Sequence, residues 1–232
     1  MKTPSMRFSS LAIIALAAGL TALGSSAAQA QTADGMADAT AARQKVAMCI
    51  GCHGIAGYQA SFPEVHKVPK ISGQNAKYIA AALTAYRKGE RKHPTMKGIA
   101  ASMSDQDIAD VAAFYEASGK DLPSPAASAA PAAPSADIQA LLTKGNCMAC
   151  HGADLNKPID ASYPKIAGQH ADYLYVALKS YQTERNPQIG RANAIMGTQA
   201  KLFTHTELKQ LATYVASLPG ELKTVAQPKL RR

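Results

Sequence analysis

One pentapeptide occurs twice in this chain, as Cys49-Ile50-Gly51-Cys52-His53 and as Cys147-Met148-Ala149-Cys150-His151, and it dictates what the rest can fold around. Cys-x-x-Cys-His is the attachment signature of c-type haem. Thiols three residues apart can add across the two vinyl groups of one porphyrin. The adjacent His then lies under the iron, where a ring nitrogen becomes an axial ligand. All four cysteines belong to these motifs, so none remains for a structural disulfide. Two rival uses of paired cysteines fit less well. A zinc ribbon wants its pairs roughly fifteen to twenty residues apart, whereas these lie 98 residues apart. A thioredoxin-like pair wants a βαβ context, and no segment alternates like a strand over useful length. The expected cofactor is two haem c, covalently held by Cys49, Cys52, Cys147 and Cys150.

The first thirty residues read as a signal peptide rather than as part of the fold. Lys2 and Arg7 form a basic start, Leu11 to Leu23 is a short apolar run, and Ala28-Gln29-Ala30 is a small-residue cleavage site. The run is too short for a membrane span; an uncleaved anchor is the alternative. Export agrees with the cysteines, because c-type haem is attached outside the cytoplasm. The expectation is a periplasmic protein with at most peripheral membrane association. Without Lys2 and Arg7 the formal charge falls from +9 to +7, with 23 Lys+Arg against 16 Asp+Glu. A basic balance can signal nucleic acid or an anionic surface. For an exported chain an acidic redox partner is the better reading.

The motif repeat extends over a whole module. Pro69-Lys70-Ile71-Ser72-Gly73-Gln74 returns as Pro164-Lys165-Ile166-Ala167-Gly168-Gln169, and Tyr78, Leu83 and Tyr86 return as Tyr173, Leu178 and Tyr181. The offset is 98 at the cysteines, 95 at the Gly-Gln pair and 100 at the end, as loop insertions would make it. Between the copies, residues 121–136 are nearly all Pro, Ala and Ser, the composition of a semi-rigid linker. The predicted plan is a signal peptide at 1–30, one domain at 31–120, the linker at 121–136, a second domain at 137–220 and a basic tail at 221–232.

Within each copy the pattern is helical. Ser104 with Asp107, and Thr204 with Glu207, have the spacing of capping boxes. Ile108, Val111, Ala112 and Tyr115 then recur at i, i+3, i+4 and i+7, as do Leu208, Leu211, Ala212 and Val215. Middle helices are predicted near 75–88 and 170–182. The fold class is therefore all-α, two tandem small helical domains each wrapped on a covalent haem.

The opposite axial position is open to several side chains. Met96 and Met196 each stand eight residues before a capping residue, Ser104 and Thr204, and so correspond. Met103 aligns with Phe203 and reads as core. The bland reading of Met96 and Met196 is core filling; the sharper one is His53/Met96 and His151/Met196 ligation, which leaves no open position for substrate. His66 and His93 could compete for the first iron, although neither recurs in the second copy; with His170 and His205 they read as surface or helix-start residues. Arg87, Lys88, Arg91, Lys92 and Lys97 cluster around Met96. They are either a solvated loop or a positive rim steering an acidic partner. The second copy offers only Arg185 and Arg191 there.

The two haem motifs, the paired Pro-Lys-Ile-x-Gly-Gln segments, Met96-Lys97-Gly98 leading into 104–110, and Met196-Gly197 with Leu208 and Tyr214 resemble the diheme cytochromes c4 over Ala42 to Leu218. The resemblance implies two class I cytochrome c domains about a pseudo-twofold axis. It also implies proline carbonyls, by motif match Pro69 and Pro164, that accept a hydrogen bond from each proximal His. Its implied role is a monomeric electron carrier, not an enzyme, between a quinol-oxidising complex or dehydrogenase and cytochrome c oxidase. A haem-bearing acceptor subunit of a dehydrogenase, of flavocytochrome type, is the alternative. A diheme peroxidase is a third class, but it needs an open iron. The linker is long for the family and the loop 62–68 is enlarged over the second copy, so the sequence leaves the relative mobility of the domains undetermined.

Overall fold

The computed structural model describes residues 44–123 and 133–226. The predicted signal peptide, most of the linker and the last residues of the tail lie outside the described residues. Both copies of the repeat belong to one compact unit, Ala42–Arg232.

In the first copy, α1 (Ala47–His53) carries the first motif, β1 (Gln59–Ala60) and β2 (His66–Lys67) form a hairpin, and α2 (Ala76–Lys88) follows. Strand β3 (Arg91–Lys92), α3 (Pro94–Ala101) and α4 (Asp105–Ala117) complete it. The second copy runs α5 (Ala136–Lys144), α6 (Cys147–His151), α7 (Ala171–Gln182), β4 (Gly190–Arg191), α8 (Ala194–Ala200) and α9 (His205–Ser217). In each copy the middle helix packs on the last one, α2 on α4 and α7 on α9. Helix α2 buries Ile79, Leu83 and Tyr86, and α4 buries Ile108, Val111, Ala112 and Tyr115, one stripe at helical spacing on each. Leu208, Leu211, Ala212 and Val215 make the same stripe on α9.

Both capping boxes form. Ser104 Oγ accepts from Asp107 N at 3.1 Å while Ser104 N donates to Asp107 Oδ2 at 3.0 Å. Thr204 and Glu207 repeat the exchange at 3.3 and 2.7 Å. Each box satisfies amide donors that the first helical turn cannot satisfy itself.

The halves are locked together, which the linker composition did not foretell. Glycine in each Pro-Lys-Ile-x-Gly-Gln segment takes a positive φ, 83° at Gly73 and 70° at Gly168, a region where a side chain is strained. That turn sends the following glutamine across the boundary. Gln74 Nε2 donates to Lys165 O and Gln74 Oε1 accepts from Lys165 N, both at 2.9 Å. Gln169 does the same to Lys70, at 2.8 and 3.0 Å. Both glutamines are buried, at 4% and 5% exposure, so each amide fully replaces water as partner. Strands β3 and β4 also pair, antiparallel, with Arg91 opposite Arg191.

Residues 221–226, the start of the stretch expected as a basic tail, run back to the first half. Lys223 N donates to Ser72 O at 3.0 Å, and Lys223 Nζ reaches the carbonyls of Gly119 and Leu122 at 2.5 and 2.6 Å. Leu222 is buried beside it. The ammonium thereby meets carbonyls of the turn that follows the C-terminal end of α4.

Candidate haem sites

Each motif lies on a helical turn that sets two thiols and an imidazole to work as a unit. Cysteines at i and i+3 share one helix face. Helix α1 spans the first set and α6 the second. Burial pushes the Cys49 and Cys147 thiols up. Directly after His151 the chain must turn back, and a Cβ on Gly152, φ 85°, would stand 2.0 Å from Lys157 O. No other residue fits that position.

The two histidines are held alike. His53 Nδ1 lies 2.9 Å from Pro69 O, and His151 Nδ1 lies 2.9 Å from Pro164 O. A carbonyl only accepts, so Nδ1 carries the proton and Nε2 keeps its lone pair for a metal. Burial pushes both imidazoles down, more than their proline carbonyls raise them, so both favour the neutral, ligating form.

Met96 and Met196 occupy matching places, the third residue of α3 and of α8. The amide of each is tied to the N-cap side chain three residues earlier. Met196 N donates to Asn193 Oδ1 at 2.9 Å, and Met96 N to His93 Nδ1 at 3.4 Å. Met103 packs on the first core beside Phe114, and its counterpart Phe203 is buried.

One cavity of about 570 Å³ takes in both constellations. Its walls include Cys49, Cys52, His53, Pro69 and Met96 from the first copy and Cys147, Cys150, His151, Pro164 and Met196 from the second. The remaining lining is largely aliphatic and aromatic, among it Ile79, Leu83, Leu174, Leu178 and Phe203. Apolar walls with two thiols and an imidazole in each half suit the porphyrin face.

A donor set on the cavity wall fits the porphyrin's acidic edge. Arg91 is buried and Arg191 half-buried, and both line the cavity. Arg91 Nη1 and Nη2 donate to the hydroxyls of Tyr78 and Tyr173 at 3.2 and 2.8 Å, and Arg191 Nη2 donates to Tyr173 at 3.3 Å. Among the described residues neither guanidinium is paired with a carboxylate, and Arg91 Nε has no partner. Burial raises the Tyr173 phenol, yet the two guanidiniums outweigh it and pull the phenol down to about 8. A buried cation beside a half-buried one, without an anion, is costly. The propionate carboxylates of a bound haem would supply a matching counter-charge here.

This geometry corrects two sequence expectations. The positive rim around Met96 does not exist as a rim. Arg91 is buried in the cavity wall, Lys92 Nζ bonds Asn186 O of the other half at 2.6 Å, and Arg87 is bound to Met103 O and Asp105. Only Lys88 and Lys97 of that cluster stay exposed, and Arg191 lies over the rings of Tyr173 and Tyr181. His66, expected at the surface, is 5% exposed, whereas His93, His170 and His205 do stand at helix starts. The arginine pair was detectable in principle, because Arg91 and Arg191 share the 100-residue offset of Met96 and Met196.

Comparison with known proteins agrees with the site. The cytochrome c family model matches twice, at residues 39–117 and 135–219. The chain is 33% identical over 84% of its length to the thiosulfate dehydrogenase electron acceptor of Stutzerimonas stutzeri, 91% of which is covered. It is 28% identical over 78% of its length to cytochrome c4 of Pseudomonas aeruginosa, 89% of which is covered. Among solved structures, cytochrome c4 of Acidithiobacillus ferrooxidans superposes with a TM-score of 0.56 at 26% identity, over 75% of this chain and 99% of that one. The chain thus belongs to the cytochrome c family, as a diheme electron-transfer cytochrome of the c4 family carrying two haem c at Cys49/Cys52 and Cys147/Cys150.

Proposed function

We propose that this protein is a periplasmic electron carrier in which His53 with Met96, and His151 with Met196, are the axial ligands of two six-coordinate haem irons. When bound, each haem supplies a one-electron iron couple. The chain's own residues do the rest. His53 and His151 present Nε2, and the proline carbonyls of Pro69 and Pro164 fix the ring planes. The capped first turns of α3 and α8 hold Met96 and Met196 in place. A thioether raises the iron potential and closes the position a substrate would need. The observation that carries this reading is the matched pair of His and Met constellations on one cavity.

The donor is a quinol-oxidising complex or a dehydrogenase, the acceptor a haem–copper terminal oxidase, and export runs through the signal peptide at 1–30. A second reading, a dedicated acceptor subunit bound to a dehydrogenase, is favoured by relatives described as thiosulfate dehydrogenase electron acceptors. A solved thiosulfate dehydrogenase, TsdBA of Marichromatium purpuratum, also matches, over 74% of this chain and 36% of that one. Untagged purification from the host separates the two, since a carrier elutes alone as a monomer and an acceptor subunit elutes with its catalytic partner. The reduced protein should not bind carbon monoxide. Rapid binding would reveal an open iron and overturn the carrier assignment.

A further inference from the structure

The hairpin of residues 59–67 has no counterpart in the second copy, and several of its contacts cross the boundary. His53 and Pro69 are 16 residues apart, His151 and Pro164 only 13. The extra chain sends β2 onto α7. Lys67 N donates to Asp172 Oδ2 at 2.9 Å. Glu64 is ion-paired with Lys179, both of them largely shielded from solvent. Between these two anchors His66 is buried. Its Nδ1 donates to Glu64 O at 2.9 Å, and its ring centre stands 5.9 Å from that of Tyr173 and 6.0 Å from that of His93.

Tyr173 is the shared acceptor of Arg91 and Arg191. The hairpin therefore packs against a side chain that joins the two arginines. A short loop would satisfy the first copy's own fold, as the second copy demonstrates, so its extension serves the boundary. We propose that the hairpin is a cross-domain clasp in which Glu64 and His66 are positioning residues for electron exchange between the two halves. They act through Tyr173, which holds Arg91 and Arg191 where they would meet the carboxylates of bound haem. This rests on the reading that electrons pass through both haems. It is tested inside one molecule, so the absence of a particular external partner does not affect it.

The test uses the full diheme protein. One variant combines Glu64→Ala with Asp172→Ala, which removes both acceptors; two others are His66→Ala and His66→Phe. One electron is injected by a flash reductant, and its redistribution between the haems is followed. The two midpoint potentials and the amide exchange of residues 59–67 are measured alongside. Loss of a charged hydrogen bond typically raises an open population on the order of tenfold. Faster exchange of the hairpin should accompany slower redistribution and a changed gap between the potentials, in the anchor variant and in His66→Ala. His66→Phe, which keeps a ring against Tyr173, should restore most of the rate. If the anchor variant frees the hairpin while rate and potential gap stay as in the parent, the clasp does not position the haems. The anchor variant decides the matter even if His66→Ala loses haem.

Discussion

The two copies share every residue that can hold a haem and differ in what surrounds it. The first has a longer loop, a hairpin and a histidine cap before its methionine; the second has a short loop and an asparagine cap. Around the first motif Met48, Ile55, Tyr58, Phe62 and Val65 are exposed, whereas the exposed large apolar residues of the second are scattered at Ile159, Ile195 and Leu202. Both copies keep two thiols, an imidazole with its carbonyl and a capped methionine. They diverge in the features that address the outside and each other.

If haem is the missing core of each half, removing one should break the symmetry most severely. Each copy is well under a hundred residues, a size at which an aliphatic core is marginal. Cys147→Ala with Cys150→Ala should yield one haem per chain, a protease-sensitive second half, and a first half that retains haem but melts earlier because its glutamine locks lose their partners. A folded, haem-free second half would refute this dependence.

The glutamine locks test whether the halves are equivalent at their boundary. Gln74→Ala strands the backbone groups of Lys165, and Gln169→Ala those of Lys70. Each should cost about 1–3 kcal/mol in denaturant unfolding, because buried backbone groups lose their partners. Equal losses sharpen the twofold picture, and a large inequality breaks it.

The caps should separate the copies more gently. Asn193→Ala removes a 2.9 Å bond from a favoured cap residue and should cost roughly 1 kcal/mol. His93→Asn places a better cap over a 3.4 Å bond and should tighten the first methionine helix. Calorimetry on both variants should give opposite shifts in Tm.

A last asymmetry is pH. Burial first, then the nearby charges of His66, Arg91 and Arg191, hold His93 at about 4, below its ordinary 6.5. The unfolded chain therefore binds the extra proton first, and stability falls as pH drops from about 6.5 to about 4. Asn193 has no such titration. His93→Asn should flatten that part of the acid-denaturation profile, while Asn193→Ala leaves its slope unchanged.

Much of the site was legible in the sequence because its signals are local. Cys-x-x-Cys-His lies within one turn, the capping boxes within three residues, and the apolar stripes of α4 and α9 within one helix. What eluded the sequence belongs to the other half of the molecule. Lys92 and Arg91 read as a solvated loop or a rim because their partners, Asn186 and Tyr173, lie some eighty or more residues away. Lys223 read as tail charge because the carbonyls it meets follow α4. His66 read as a surface residue because Tyr173, which covers it, has no mark in the local sequence. The linker left the relative mobility of the domains open, but paired glutamines hold the packing, and nothing in a single copy shows where a glutamine side chain will find its acceptor.

The central claim, two equivalent His–Met haems in one molecule, is tested most directly by the weak near-infrared charge-transfer band from methionine sulfur to iron(III). The oxidised protein should show it at the intensity of two such irons. Met96→His and Met196→His should each remove about half of it and lower one midpoint potential, since imidazole replaces thioether. Met103→Leu should leave band and potentials unchanged. Loss of the band in Met103→Leu, with full intensity kept in Met96→His, would contradict the ligand assignment and the correspondence of the two copies on which it stands.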